Sequence, residues 1–368
     1  MHSLLLGLME KCYANEPRVI KRDQCGEMYR QHMEETMSRV FRRGLVFGLI
    51  ACTAAASVYA SDVAEAQTSL KVIVFPTVSN LSLFAAQKEG YFSKRGLAVE
   101  IQNTPNSEVL RTGLAKGEYH IAHAAVDNAV DMADVGKVDI AIIMGGEGGL
   151  NELIVQRDIK SYDDLRGKTV VVDAPDTAYA LLLYKMLEIK GLKKNDYVVK
   201  PVGGSFRRYE VMVQDSNNAA SMLNPPFSIR AIKDGLKSLG SSVDVTGPYQ
   251  AGGAFLLRGW GKANADTVVK YIQANVEGLR WAMNPANKAE VITMISERLK
   301  LPEDIATTSY EMVIDPHKGF AKDAKFDMEG FKNALKLRAE TLRTPGTDPS
   351  KPEKYLDLSY YQSAITGL

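Results

Sequence analysis

Eight polar residues follow the ends of predicted strands or begin the helices after them, where a small molecule could be held. They carry hydroxyl, amide, carboxyl and guanidinium groups: Ser79, Asn80, Asp127, Asn128, Asp176, Thr177, Arg207 and Asn224. Such groups bind ligands through hydrogen bonds, and Arg207 could clamp a carboxylate or a sulfonate through two N–H groups. The chain has no Gly-x-Ser-x-Gly nucleophile motif, so this set favours binding over catalysis.

Purely structural roles would also explain several of these residues. Four of them suit the N-caps of helices equally well: Ser79, Asn80, Asp127 and Asp176. Asn128 lies just inside a predicted helix and has less need to cap it. Arg207 stands beside Arg208, and such a pair is often solvated. Three further side chains could face a ligand, although core packing is their commoner role: His123, Phe206 and Phe227.

The elements that would position these residues alternate along the chain. Residues 70–75 form a short apolar, β-branched run that ends at Pro76, which is typical of a strand buried on both faces. Further strands are predicted over residues 97–101, 119–123, 138–144, 152–156, 197–202, 219–223 and 254–257. Helices are predicted over residues 80–88, 107–115, 126–135, 176–190, 208–214, 228–237, 267–284, 287–299 and 328–342, with another beginning at Pro302.

This alternation of strands and helices predicts βαβ units and mostly parallel sheets. In such sheets ligands bind beyond the carboxyl ends of the strands, where helix N-termini present free N–H groups. The glycine-rich run over residues 145–149 lacks the spacing of a phosphate-binding loop, so we interpret it as a flexible connection.

Composition excludes some classes of partner and cofactor. The chain has 368 residues, of which 45% are hydrophobic and 24% charged; this is long enough for two domains. The formal net charge of +1 gives no reason to expect nucleic acid as a partner. His120 and His123 lie three apart on a predicted strand and would face opposite sides, so we predict no metal and no cofactor.

The N-terminal region has the pattern of a secretory signal peptide. Residues 37–43 are basic, residues 44–56 are apolar, and small-x-small cleavage sites end at Ala60 and Ala66. We therefore interpret residues 37–66 as a signal peptide and residues 1–36 as an over-called extension before a true start at Met37. An uncleaved anchor is an alternative. The three cysteines, Cys12, Cys25 and Cys52, all precede these sites, but Cys52 also fits a lipobox and would then carry a lipid anchor.

A family resemblance is carried by residues 84–99. Gly90-Tyr91-Phe92, a basic residue and Gly96-Leu97 before a strand resemble the opening of solute-binding proteins from nitrate/sulfonate/taurine-type ABC importers, a group that includes thiamine-precursor-like binding proteins. Residues 164–168 resemble the start of the second lobe in type II periplasmic binding proteins, and residues 355–361 resemble the family's closing segment. The resemblance covers nearly all of residues 69–368.

The resemblance implies an α/β fold of two lobes, each a mostly parallel sheet flanked by helices, with two crossing strands as a hinge. Lobe 1 would comprise residues 68–154 and 255–345, lobe 2 residues 155–254, and residues 346–368 would pack on lobe 1 as a tail. The protein would lie in the periplasm, where we favour a soluble form over a lipid-anchored one, and would act as a monomer. It would capture a sulfonate, nitrate, aromatic carboxylate or pyrimidine and deliver it to an ABC permease with a cytoplasmic ATPase.

Two alternatives share this fold. One is an enzyme that resembles the thiamine-pyrimidine synthase, which uses a histidine and a cysteine-rich metal motif; this chain has no cysteine after Cys52, so we predict that it is not an enzyme. The other is a ligand sensor that feeds a chemoreceptor in place of a permease. The sequence leaves ligand charge open, because the candidate site contains both carboxylates and an arginine.

Overall fold

The computed structural model describes residues 67–342 and 347–368. The predicted signal peptide, the extension before it and all three cysteines lie outside these residues. The strands are β1 (Thr68–Val74), β2 (Leu97–Asn103), β3 (Ile121–Ala125), β4 (Ile140–Gly145), β5 (Glu152–Val155), β6 (Thr169–Val172), β7 (Val198–Pro201), β8 (Asn218–Leu223), β9 (Lys237–Ser241) and β10 (Gly252–Leu257).

Helices connect most of these strands and continue after the last one. They are α1 (Leu81–Lys88), α2 (Ser107–Ala115), α3 (Asp127–Asp134), α4 (Ala178–Ile189), α5 (Ser205–Gln214), α6 (Phe227–Lys233), α7 (Ser242–Thr246), α8 (Arg258–Ala263), α9 (Ala265–Met283), α10 (Lys288–Leu299), α11 (Glu303–Val313), α12 (Met328–Leu342) and α13 (Ser359–Thr366). Within the described ranges, none of them combines the length and the apolar composition that a membrane span requires.

The strands form two five-stranded sheets, ordered β2-β1-β3-β10-β4 and β7-β6-β8-β5-β9. In the first sheet β1 runs parallel to β2 and β3, whereas β10 is antiparallel to β3 and β4. In the second sheet β6 runs parallel to β7 and β8, whereas β5 is antiparallel to β8 and β9. The antiparallel strands β5 and β10 follow the two crossings between the sheets, and the predicted two-lobed α/β fold is confirmed.

Sequence-based boundaries differ from the structure at one helix and at both limits of lobe 2. The helix predicted over residues 228–237 ends at Lys233 in the structure. Lys237, the last residue of the predicted range, instead begins strand β9. Gly235 adopts a φ of 92°, which a non-glycine residue adopts only with strain, so the helix stops and the chain turns into the sheet. The predicted lobe boundary at residue 154 falls inside β5, which pairs with β8 of the second sheet. The predicted boundary at residue 254 falls inside β10, which pairs with β3 and β4 of the first sheet.

Close packing of α9 on α1 completes the first lobe. Val268, Tyr271 and Leu279 of α9 are buried in the same cluster as Leu81 and Phe84 of α1. A Cβ atom at Gly278 would collide with the backbone of α1 at Ser82 and Ala86. Glycine at this position therefore permits the two helix backbones to approach each other.

Helix α12 packs on both lobes. Phe331 and Leu335 lie in a core cluster of the first lobe, while Ala334 and Leu337 lie in the main core cluster of the second lobe. Predicted lobe 1 ends at residue 345, but this helix belongs equally to the core of the other lobe. The tail after it packs on the first lobe, where the Asp357 N–H donates to the Ile142 carbonyl over 2.9 Å.

Arg338 of α12 is fully buried and binds groups from both lobes. Its guanidinium pairs with Asp127 over 2.8 Å and with Asp131 on α3. It also donates to the Asp176 carbonyl of the second lobe over 3.2 Å. Burial alone would lower the pKa of Arg338, but the attraction of the two carboxylates outweighs this effect, and the pKa is raised.

We expect Arg338→Met to lower the free energy of unfolding by about 3–5 kcal/mol, because it leaves the buried Asp127 carboxylate without its cation. Asp131 keeps its ion pair with Arg111 over 2.7 Å. Urea denaturation followed by circular dichroism measures this loss. The control is Lys336→Met on the same helix, whose side chain is 69% exposed and lies 3.9 Å from Glu340. Equal stability of the two variants would contradict a structural role for the buried ion pairs.

Candidate functional site

A cavity of about 70 Å³ lies between the two sheets. Residues from the ends of β1, β3, β6 and β8 line it, together with residues of the first crossing between the lobes and of the start of β10. The lining comprises Phe75, Thr77, Ser79, Asn80, Ser82, Ser107, His123, Ala124, Ala125, Asn128, Gly145, Gly146, Glu147, Asp173, Thr177, Ala178, Tyr179, Gly204, Ser205, Arg208, Asn224, Gly252, Gly253 and Phe320. This is where ligands bind in parallel sheets.

The structure brings five of the eight sequence-predicted residues to this cavity: Ser79, Asn80, Asn128, Thr177 and Asn224. The other three are not among the lining residues. Asp127 is buried against Arg338, and Asp176 gives its carbonyl to the same guanidinium. Arg207 is exposed, pairs with Glu210 over 3.6 Å and lies over the Phe206 ring, so it matches the solvated interpretation.

Most of the lining side chains from the predicted set also hold the local backbone. The Asn80 amide donates to the Phe75 and Thr77 carbonyls over 2.6 and 3.2 Å. The Thr177 hydroxyl donates to the Ala174 carbonyl over 2.9 Å, and the Asn128 amide donates to the Ala125 carbonyl over 3.2 Å.

Asn224 differs from these residues. It follows β8 and is only 4% exposed, yet its carboxamide oxygen has no hydrogen-bond partner. A buried polar atom without a partner is costly, and a ligand in the cavity would supply one.

Glu147 is a lining residue that the sequence reasoning missed. It is 2% exposed and lies at the first crossing between the lobes. Its carboxylate accepts the Gly149 N–H over 2.8 Å and the Leu150 N–H and Ser79 hydroxyl over 3.4 Å each. Burial raises its pKa to about 7, although these three donors oppose the shift. The sequence signal that could have identified this residue is its position as the single charged residue among the four glycines of residues 145–149.

Arg208 lines the cavity, whereas its neighbour Arg207 does not. Ser205 begins α5, and Arg208 three residues later lies on the same helix face, whereas Arg207 is rotated toward solvent. The Arg208 guanidinium donates to the Ser221 hydroxyl, the Gly203 carbonyl, the Ser205 hydroxyl and the Met222 carbonyl over 2.7–3.0 Å. Burial lowers the pKa of Arg208.

His123 both lines the cavity and bonds to the core. Its Nε2 atom lies 2.7 Å from the Tyr271 hydroxyl. Its removal from water lowers the pKa of His123 to about 4, so the ring is neutral near pH 7. In residues 67–342 and 347–368, no group of three or more His, Cys, Asp and Glu side chains is placed to hold a metal ion.

The two lobes contact each other beside the cavity. The Ser107 N–H at the start of α2 donates to the Asp173 carboxylate over 3.1 Å, and the Ser107 hydroxyl donates to the same oxygen over 2.5 Å. The Gly204 N–H donates to the Pro105 carbonyl over 3.0 Å. A Cβ atom at Gly204 would lie 3.1 Å from that oxygen, so glycine permits this approach.

Comparison with known proteins identifies the family. The model of the NMT1-like family matches residues 63–296, so the chain belongs to the NMT1-like family. No match was found among curated proteins.

Three solved structures share the fold. The chain is 15% identical to the ligand-binding component of an ABC-type import system from Staphylococcus aureus with zinc bound, with a TM-score of 0.69 and coverage of 81% of this chain and 99% of that one. For the periplasmic nitrate-binding protein NrtA from Synechocystis PCC 6803 the identity is 15%, the TM-score 0.68 and the coverage 82% and 89%. For the alkanesulfonate-binding protein SsuA from Xanthomonas axonopodis pv. citri bound to MOPS, the identity is 16% and the TM-score 0.64. The match covers 78% of this chain and 98% of that one.

These findings confirm the resemblance that residues 84–99 indicated. Together with the two sheets and their two crossings, they establish the generic periplasmic binding protein fold.

We expect Asp173→Ala to shift the protein toward a conformation with separated lobes, because it removes the acceptor of both Ser107 donors. Hydrogen bonds to charged groups contribute about 1.5–3 kcal/mol, which corresponds to a population change of about tenfold or more. Small-angle X-ray scattering should therefore give a larger radius of gyration for this variant.

The matched control is Asp163→Ala, whose side chain is 75% exposed and pairs with Arg166 on the surface of the second lobe. It should leave the radius of gyration unchanged. The same radius for Asp173→Ala and the unmodified protein would contradict a role for this contact in holding the lobes together.

Proposed function

We propose that this chain is the periplasmic substrate-binding subunit of an ABC import system. The observation that carries the proposal is the cavity at the carboxyl ends of both sheets, with the unpartnered Asn224 oxygen in its wall. Binding components of import systems, including those named for nitrate and alkanesulfonate, have the same fold. In this proposal a small solute enters the cleft, and a membrane permease with a cytoplasmic ATPase receives it.

The two crossings between the lobes suit such a cycle. Residues 146–151 and 242–251 connect the sheets, and the first of these segments contains three glycines. Rotation at these segments would open the cleft, and a ligand that contacts both lobes would favour the closed arrangement. The permease would distinguish the two shapes.

We further propose that the protein binds its solute without changing it. The lining histidine supports this, because His123 is bonded to Tyr271 and has a pKa of about 4, which is low for a general base at neutral pH. A sensor that feeds a chemoreceptor would use the same cleft. Uptake of labelled solute by cells with and without the gene separates transport from sensing, because only a transport subunit is required for accumulation.

Export to the periplasm is also part of this proposal. N-terminal sequencing of the protein recovered from that compartment should place its first residue directly after Ala60 or Ala66. Blocked sequencing with a lipid on Cys52 would support a membrane-anchored form instead, and a chain that keeps residues 37–60 would contradict cleavage. Light scattering of the recovered protein should give the mass of a single chain.

A thermal-shift screen tests the binding function. The purified protein is heated with nitrate, taurine, alkyl and aromatic sulfonates, aromatic carboxylates and pyrimidines. A ligand present at 100 times its dissociation constant should add about 2.7 kcal/mol to the free energy of unfolding and raise Tm by several degrees. The proposal would be contradicted if neither these compounds nor small organic cations gave any shift.

Two asparagine variants test whether the shift arises in the cleft. Asn128→Ala should weaken the response to the best compound while leaving Tm without ligand nearly unchanged, because its amide makes one bond of 3.2 Å to the protein. Asn333→Ala is the control, since the Asn333 amide donates to the Pro248 carbonyl outside the cavity lining. If Asn128→Ala lowered both values equally, Asn128 would be structural.

A further inference from the structure

We propose that the ligand presents N–H donors and a positive charge to Glu147, as an amidinium or another small organic cation does, and is not an inorganic oxyanion or a sulfonate. This inference rests on the proposed function, because it assigns a chemical class to the ligand of the same cleft.

Among the described residues of the lining, the fully buried side-chain atoms that lack a hydrogen-bond partner are both acceptors. Asp173 Oδ1 and Asn224 Oδ1 are both buried without a partner. Glu147 Oε1 has one weak donor, the Ser79 hydroxyl at 3.4 Å. Oxygens of this kind are satisfied by N–H or O–H groups, so a ligand that offers donors to several of them would relieve the cost of their burial.

The charge of the lining also favours a cation. Its carboxylates are Glu147 and Asp173, while Arg208 is its single arginine or lysine. Four bonds to protein oxygens occupy the Arg208 guanidinium, so four of its roughly five N–H groups are already used. An oxyanion would find little donor capacity there and would face two carboxylates across a small cavity.

Glu147 is placed to receive such a cation. No Lys, Arg or His pairs with its carboxylate in the ranges that the structure covers. The neighbouring Gly252 leaves the carboxylate uncovered, since a Cβ atom there would lie 3.3 Å from Oε1. The carboxylate is anchored on the other side by the Gly149 and Leu150 N–H groups, so one oxygen remains for the ligand.

The titration of Glu147 provides an independent readout. The groups that interact with it are the Tyr179 and Tyr249 hydroxyls, which burial keeps neutral by raising their pKa. His123 across the cavity is neutral above a pKa of about 4, and the charged neighbours in the lining are Asp173 and Arg208. Glu147, with a pKa of about 7, must lose its proton to bind a cation, so affinity should rise about tenfold between pH 6 and pH 8.

Isothermal titration calorimetry with matched probes tests the inference. Acetamidinium and benzamidinium are compared with acetate and benzoate, which have the same shape and opposite charge, and with nitrate and methanesulfonate. We expect an amidinium to bind once per chain, with the tenfold rise from pH 6 to pH 8, and the four oxyanions to show at least tenfold weaker binding. Glu147→Gln should weaken amidinium binding at least tenfold and remove its pH dependence.

The control is Glu152→Gln on β5, five residues further along the chain and outside the lining, which should bind the amidinium normally. If Glu147→Gln does not fold, the pH profile of the unmodified protein still decides the question. Oxyanion binding without amidinium binding would overturn this inference while supporting the proposed function, as would amidinium binding that Glu147→Gln leaves unchanged. No binding by any probe or by any compound of the thermal-shift screen would overturn both.

Discussion

The architecture depends on a buried charge, the Arg338 guanidinium held between Asp127 and Asp131. Isolated charges are not stable in a protein interior, so these groups must remain together. Because Arg338 also binds the Asp176 carbonyl, α12 is fixed at once to α3 of the first lobe and to the start of α4 in the second. Asn128 and Thr177, the sequence neighbours of Asp127 and Asp176, line the cavity, so this cluster links the two lobes directly beside it.

Glu147 connects this frame to the cleft. It lies on the first crossing between the lobes, where its carboxylate contacts Ser79 of the first lobe and the N–H groups of Gly149 and Leu150, which lead into the second. A ligand bound to this carboxylate would therefore bind the hinge itself. In the proposed function, ligand affinity and lobe closure would share one residue, and the protonation of that residue would influence both.

The sequence predicted the strands and helices because hydrophobic periodicity and the Gly and Pro residues that end these elements are local signals. The alternation over residues 70–144 identified β1 to β4 and the helices between them within a few residues. Strand β9 was missed because Leu236 continues the apolar spacing of α6, and only the left-handed conformation of Gly235 separates the two. The two crossings between the lobes were predicted from the family resemblance, and the antiparallel pairing of β5 and β10 was not predicted, since no local pattern encodes it.

The site was less predictable because it depends on distant contacts. Asp127 and Asn128 are neighbours in sequence, but a guanidinium 211 positions away draws Asp127 into the core, while Asn128 lines the cavity. Arg207 and Arg208 differ only by rotation around α5, and packing on β8 decides which one is buried. Glu147 was read as part of a flexible connection because its buried environment is formed by both lobes.

Native mass spectrometry decides whether a solute is held between the lobes and leaves unchanged. The purified protein is incubated with the best compound of the screen, the complex is weighed, and the compound is then released and weighed again. We expect one molecule per chain and an unaltered mass after prolonged incubation. Release of a compound with a different mass, or a complex that never forms, would contradict it.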